Sequence, residues 1–308
     1  MNARQSATRL LVAAGLVLGG ALALDSLVTI LGDNGGMGYD TPSYWQAGKN
    51  VLNAAPLYRQ VSYSTLGLYT YPPLFAQLFA PFALLPEVLV GWVSRTFGLL
   101  CLRYLTGSWK ATLVACVFLP VLIELSIANV TLEVAACVLF AMRDRRGAYL
   151  LPWAAMLKFG PALIVPYLWV RKRDARRPLV IGTLIFLAAC GVSILVDPRG
   201  WTDYVNMLRF QNAAALSGQE VIHLIPSGGG LDFAIRFGIA GLAALFAAYA
   251  RRDWLAYAAA AITCPVMAIS RFAPLVALWR FRPGADRPGA ERSEAASRTD
   301  AAAGAAAR

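Results

Sequence analysis

The sequence predicts an all-α, polytopic membrane protein, and three observations carry that expectation. Of 308 residues, 58% are apolar and only 15% are charged, whereas an ordinary soluble domain has roughly 45–50% and about 25%. The mean hydropathy is positive. The basic residues of this chain, net charge +11, fall in short groups between long apolar blocks: Arg143, Arg145 and Arg146; Arg171, Lys172, Arg173, Arg176 and Arg177; Arg251 and Arg252; Arg280 and Arg282. That punctuation is what the positive-inside rule produces. It forms no continuous basic surface or RNA-binding motif, so membrane lipid, and no nucleic acid, is the expected partner.

The first apolar run, about residues 10–31, follows Arg4 and Arg9 and contains Ala21-Leu22-Ala23, a signal-peptidase-like triplet. The run continues through Leu31, longer than a signal h-region, and reads as an uncleaved first span. On either reading residues 32–72 lie outside the cytoplasm. Four apolar blocks follow, 73–86, 87–106, 111–125 and 127–142. An odd number of crossings must separate the outer loop from Arg143, so one of the four does not cross fully.

The segments 178–196 and 231–250 read as ordinary spans, with a second outer loop at 197–230 between them. The segments 147–170 and 253–279 each begin and end beside a basic cluster yet hold only 24 and 27 residues. Two crossings need about 40, so each must turn back through short or broken helices, consistent with Pro152, Pro161 and Pro166 in one and Pro265 and Pro274 in the other. Broken helices at membrane depth persist only where protein or a water-filled cavity satisfies the backbone, which predicts a polar cavity open to the outer face. The expectation is about eight to ten membrane segments within residues 1–282. After them comes a disordered cytoplasmic tail, 283–308, rich in Ala, Gly, Arg and Glu. Internal repeats are not visible. The five cysteines stand singly in apolar runs and read as small buried hydrophobes, so neither a metal nor a cofactor is expected.

Chemistry concentrates in the first outer loop, GYDTPSYWQAGKNVLNAAPLY, residues 38–58. Pro42 suits a helix first turn, with Asp40 or Thr41 as its cap. Tyr44, Trp45, Val51 and Leu52 then fall on one side and Gln46, Lys49, Asn50 and Asn53 on the other, an amphipathic interfacial helix. Six of twelve tyrosines (Tyr39, Tyr44, Tyr58, Tyr63, Tyr69, Tyr71) lie within residues 39–71. They suit either an aromatic belt at the interface or the lining of a sugar site.

The run Tyr39-Asp40-x-x-x-Tyr44-x-x-Ala47, then Pro56-Leu57-Tyr58, then Tyr71-Pro72-Pro73-Leu74 with Pro81 and Leu85-Pro86, resembles glycosyltransferase family 87, the polyprenyl-phosphate-mannose-dependent mannosyltransferases. The later AAMLKFGPALIVPYLWVRKR is similar to that family's lysine-x-x-proline span with basic residues after it. The likeness extends over roughly residues 10–282. It implies a type-C glycosyltransferase fold with its active site on the outer face, and a first-loop acid as general base, the position held by Asp40. It also implies inverting transfer of mannose or another hexose from a polyprenyl-phosphate donor to a lipid or glycan acceptor, at the periplasmic face of a bacterial inner membrane. Where the family often has Gly-Gln-x-Asn in a middle span, this chain has Ala128-Asn129-Val130-Thr131.

A polyprenyl phosphate leaves readily, so one carboxylate suffices, unlike the carboxylate pair of most glycoside hydrolases. The charge growing on the phosphate calls for cations. The candidates taken from outside the cytoplasmic clusters are Lys49, Lys158, Arg209, His223 and Arg271. Lys158 and Arg271 lie in apolar helices beside a proline turn, where an unpaired charge costs roughly 2.5–3.5 kcal/mol. Each therefore needs a ligand or a partner; snorkelling is the alternative for Lys158 and a backbone carbonyl for Arg271. Lys158, Arg271, His223 and Arg209 are the expected donor-phosphate contacts. Tyr39, Tyr44, Tyr71 and Asp25 are the expected sugar or acceptor contacts. Glu124 and Glu133 are given no site role. A lipid-linked-substrate carrier or flippase would share the cavity and the cations without needing a base at Asp40. An inactive scaffold would tolerate change there.

Overall fold

The computed structural model describes residues 40–58, 69–216, 229–263 and 269–281, with backbone alone at 211–216, 229–233, 262 and 269–271. The first span, the tail 283–308, and Asp25, Tyr39 and His223 lie outside the described residues. Every regular element among the described residues is helical.

Helix α1, Asp40–Leu52, carries Pro42 near its start. It buries Thr41, Ser43, Tyr44, Ala47 and Gly48. The face turned to the protein is thus small residues plus one tyrosine, while Leu52 is exposed. Helix α2, Pro73–Phe79, and the 3-10 turn Phe82–Leu84 follow. Seven residues make only about 10 Å of helix, so the block 73–86 does not cross a bilayer.

Helix α3, Glu87–Thr106, is long enough to cross, and it ends where Gly107 takes φ +83° and donates its N–H to the Arg103 carbonyl. Ser108 caps α4, Trp109–Cys116, by accepting from the Ala111 N–H at 3.2 Å. Pro120 opens α5, Leu119–Ile127, and the α4–α5 pair is bent by 87°. Helix α6, Thr131–Arg143, comes next.

The segment 147–170 is broken as its prolines predict. It comprises the 3-10 stretch Arg145–Leu150, α7 at Leu151–Leu157, the 3-10 turn Gly160–Leu163, and α8 at Ile164–Arg171. Helix α9, Arg176–Val196, is the second long apolar helix, and Leu184, Leu195 and Val196 stand exposed on it for lipid to cover. The stretch expected as a second outer loop holds helix α10, Pro198–Leu216. Helix α11, Gly229–Ala250, α12, Asp253–Ile262, and a 3-10 stretch, Ile269–Phe281, complete the described chain. Among the described residues two helices, or three if the bent α4–α5 pair is one span, are long and apolar enough to cross a membrane. The protein is an all-α membrane protein.

Helix α6 is the hub. It buries Leu132, Ala135, Val138, Leu139 and Met142 in one core cluster with Leu102 and Leu105 of α3, Ile164 and Leu168 of α8, Ala256 and Tyr257 of α12, and Ala273 and Ala277. A helix apolar nearly all round belongs in the middle of a bundle. Polar ties at its C-terminal end gather the basic clusters: Arg143 Nη2 donates to the Arg280 carbonyl at 3.2 Å, and Arg280 Nη1 donates to the Tyr104 carbonyl at 3.2 Å. The other end of α6, about 20 Å away at 1.5 Å per residue, is where the candidate site lies.

Candidate functional site

Three chain segments meet at the N-terminal end of α6. The first is the start of α1. Tyr44, one turn after Asp40 and 3% exposed, sits in an aromatic cluster with Leu57, Tyr69 and Ala76, flanked by Tyr58, Tyr71, Phe75 and Phe79. The Tyr44 ring meets Tyr71 and Phe75 edge-on at 5.4 and 5.5 Å between centroids, the geometry that ring quadrupoles favour. A Cβ at Gly48 would lie 2.8 Å from the Ala83 Cβ, so α1 is pressed against the turn after α2. Trp45 Nε1 donates to the Leu85 carbonyl at 2.9 Å and fixes its rotation.

The second segment is the elbow between α5 and α6. Ala128 closes α5 at φ +51°, a left-handed conformation that side chains with a Cβ adopt at a cost, and its N–H returns to the Glu124 carbonyl. Arg95 of α3, 8% exposed, steadies the same helix end, Nε on the Leu125 carbonyl at 3.3 Å and Nη2 on that of Ser126 at 3.2 Å. A cation at a helix C-terminus is favourably placed. Val130 then packs into the aromatic cluster that holds Tyr44. One apolar cluster therefore sets both Asp40 and Asn129, the residue before Val130.

The third segment is the break between α7 and α8. Lys158 is extended, φ −149°, ψ 133°, and its N–H closes α7 on the Ala154 carbonyl. The break is locked from outside, since Gly160 lies so close to the carbonyls of Ala260 and Thr263 that a Cβ would collide with both.

A single hydrogen-bond chain joins the three segments. Lys158 Nζ donates to Thr131 Oγ1 at 2.7 Å, Thr131 Oγ1 donates to Asn129 Oδ1 at 3.2 Å, and Asn129 Nδ2 donates to the Asp40 carboxylate. Its polarity is self-consistent. An ammonium only donates, so the threonine hydroxyl accepts from it and must donate onward. In that order the Asn129 oxygen faces Thr131 and its NH₂ faces Asp40, an acceptor when ionised. A cation thus stands at one end of the chain and an anion at the other.

Tyrosines frame the carboxylate. The hydroxyls of Tyr44 and Tyr71 are 3.1 Å apart, Tyr58 donates to the Tyr71 carbonyl at 2.6 Å, and Tyr69 donates to the Pro72 carbonyl at 2.8 Å. Burial pushes the Tyr44 phenol well above its ordinary range, and the nearby Tyr71, Asp40 and Glu124 push the same way. Burial also pushes Tyr204 of α10, whose ring lies 5.7 Å from Tyr58, up to about 12. These phenols stay protonated and remain donors at neutral pH.

Of the residues expected at the site, Asp40, Tyr44, Tyr71 and Lys158 are brought together here. Arg209 is exposed on α10, and only the backbone of Arg271 is described, in the 3-10 stretch. Sequence reasoning missed Asn129 and Thr131 as contributors, although a polar pair in an apolar run was the signal. It also missed Arg95, a charge in the middle of a 20-residue apolar helix and so a functional or structural marker by its cost alone. Glu124, 1% exposed and close enough to act on Tyr44, belongs to the same neighbourhood.

A bundle of broken apolar helices with a charged, tyrosine-framed network at one end of its central helix defines a membrane protein with a polar site at the bundle end. The match to a family model then gives its class of chemistry. Residues 69–269, well over half of the chain, match the model of glycosyltransferase family 87, and the chain belongs to that family: it is a glycosyltransferase. Tyr71, Asn129, Thr131 and Lys158 lie inside the matched stretch, and Asp40 precedes it. No curated protein and no solved structure matches the chain.

Proposed function

We propose that the protein transfers a hexose, mannose in the first instance, from a polyprenyl-phosphate donor to a lipid or glycan acceptor with inversion, at the outer face of the membrane. Asp40 is the general base. The observation that carries this reading is the Asp40 carboxylate held by the Asn129 amide beside donor phenols, with the Lys158 ammonium linked to it through Asn129 and Thr131.

In the step proposed, an Asp40 oxygen takes the proton of the acceptor hydroxyl as that oxygen attacks the anomeric carbon from the face opposite the phosphate. The carbon–oxygen bond to the phosphate breaks, and the polyprenyl phosphate leaves with the electron pair. No acid is needed, because phosphate is a stable anion at neutral pH. Lys158, joined to Asp40 through Thr131 and Asn129, is proposed to offer its positive charge to the leaving phosphate. Arg271 and His223 are proposed to reach the same phosphate. Tyr39, Tyr44, Tyr71 and Asp25 are proposed to contact the sugar or the acceptor, the phenols presenting flat faces and donors. Arg209, exposed on α10, is left with a peripheral electrostatic role.

Sidedness is supported by the central helix: the network lies at its N-terminal end, while Arg143, Arg145 and Arg146 follow its C-terminal end and Arg280 is tied to Arg143 there. Basic clusters mark the cytoplasmic side, which leaves the network on the periplasmic side if the host is a bacterium. The test is transfer in proteoliposomes from radiolabelled polyprenyl-phosphate mannose and glucose, with a nucleotide sugar in parallel. Label moving from a polyprenyl-phosphate sugar supports the reading. Label moving only from the nucleotide sugar overturns it.

A further inference from the structure

We infer that Asn129, oriented by Thr131 and Lys158, is a positioning residue that holds Asp40 in register for proton abstraction. This inference rests on Asp40 being the base. The chain of donors running from Lys158 through Thr131 to Asn129 has one end product, an NH₂ group aimed at one oxygen of the Asp40 carboxylate. A carboxylate turns about two side-chain bonds, and α1 alone fixes only its backbone. The Asn129 hydrogen bond to one oxygen restrains that rotation, and proton abstraction is assigned to the other oxygen. Asn129 itself sits on a short elbow clamped at both sides, by the Ala128 return to Glu124 and by Val130 in the aromatic cluster. Its amide therefore has little freedom of its own. Thr131 and Lys158 favour one way round for that amide, because the hydroxyl that accepts from the ammonium donates to the Asn129 oxygen.

The arrangement separates two jobs that a single Asp cannot do together. Holding the base consumes one carboxylate oxygen, and abstraction uses the other. It also gives Lys158 a duty besides its charge, since a shorter or uncharged side chain there would free Thr131 to turn and the Asn129 amide to flip. The side-chain partners of Asn129 are Asp40 and Thr131, and in this inference it acts through Asp40, which sets the form of the test.

Purified wild type, Asn129→Leu, Thr131→Val, Thr131→Ser, Asp40→Asn and the double variant Asp40→Asn with Asn129→Leu are compared in proteoliposomes. Radiolabelled polyprenyl-phosphate mannose is the donor and octyl mannoside the acceptor, and thermal melting of each variant is followed in detergent. Loss of a hydrogen bond to a charged group predicts a kcat lowered roughly tenfold to a hundredfold in Asn129→Leu, with KM for the donor changed less than about threefold. Thr131→Val is expected to lose several-fold and Thr131→Ser to recover to within about twofold. The double variant is expected to be no slower than Asp40→Asn alone, since a residue acting through Asp40 has nothing to position once the carboxylate is gone.

Asn129→Leu at near wild-type kcat overturns the inference while leaving the base reading intact. A double variant that multiplies the two losses does the same. If Asn129→Leu does not fold, the Thr131 pair decides: equal rates in Thr131→Val and Thr131→Ser overturn it. Asp40→Asn at wild-type rate, or a wild type that uses no polyprenyl-phosphate sugar, removes the base reading itself and the inference with it.

Discussion

Replacing Gly160 with alanine puts one methyl where the break between α7 and α8 passes α12. The new Cβ would stand 2.6 Å from the Thr263 carbonyl oxygen and closer still to that of Ala260, where ordinary contact begins at 3.4 Å. Both neighbours are backbone, at the end of a packed helix whose Ala256, Tyr257 and Ala260 are buried, so neither can swing aside as a side chain would. The break has to retreat by well beyond about 0.8 Å, because the Ala260 carbonyl is the nearer of the two. Overpacking of this kind costs about 1–3 kcal/mol, and the absence of a flexible neighbour puts this site toward the upper end. Lys158 lies two residues away, so its ammonium moves with the break. A 1 Å misplacement at a reacting centre can cost about 10²-fold in rate. The assay is melting in detergent alongside sugar transfer in proteoliposomes, with Gly191→Ala as control. A Cβ added at Gly191 on α9 would meet nothing within 4 Å, and a Gly-to-Ala change in an open helix site stabilises by about 0.5–1 kcal/mol. Gly160→Ala that melts with wild type and transfers within twofold of it would refute the reasoning.

Three further outcomes follow from the same geometry. Ala128→Gly relieves a left-handed alanine but removes a buried methyl, so a net gain of up to about 1 kcal/mol in detergent unfolding is expected; a loss above 1 kcal/mol contradicts the strain. Arg95→Met strips the α5 C-terminus of two donors and is expected to cost about 1.5–3 kcal/mol, read as a lower melting midpoint, and an unchanged midpoint speaks against the clamp. Tyr44→Phe keeps the ring contacts and loses the hydroxyl pair with Tyr71, so stability is expected to fall by about 1 kcal/mol or less while KM for one substrate rises, and an unchanged KM for both removes Tyr44 from the sugar contacts.

Much of the architecture was legible because bilayer physics writes it coarsely. Apolar blocks, prolines and basic clusters were enough to foresee helices throughout and a break between Ala148 and Tyr167, since each of those signals is local in sequence. The site was legible only in part. Asp40, Tyr44, Tyr71 and Lys158 carry chemistry in their own side chains, and their types and neighbours drew attention to them. Asn129 and Thr131 looked instead like a departure from the family pattern. The role proposed for them rests on the Asn129–Asp40 contact spanning 89 residues, made possible because Val130 and Tyr44 share one apolar cluster, and no local pattern encodes that contact. Arg95 was passed over for the opposite reason: its helix reads as a plain span, and only the fold shows that the α5 carbonyls arrive to receive it. The amphipathic reading of α1 erred similarly. Side-chain size, with Ala47 and Gly48 allowing close approach, decided its buried face more than hydrophobicity did.

The most direct test of Asp40 as the base is the rate of Asp40→Asn, which keeps the size of the side chain and most of its helix-start role. In proteoliposomes with a polyprenyl-phosphate sugar that wild type uses, the variant is expected to insert and melt within about 1 kcal/mol of wild type while transfer falls roughly 10²–10⁴-fold. Transfer at near wild-type rate, whatever the melting behaviour, would contradict Asp40 as the base and make Asp25 the next carboxylate to replace.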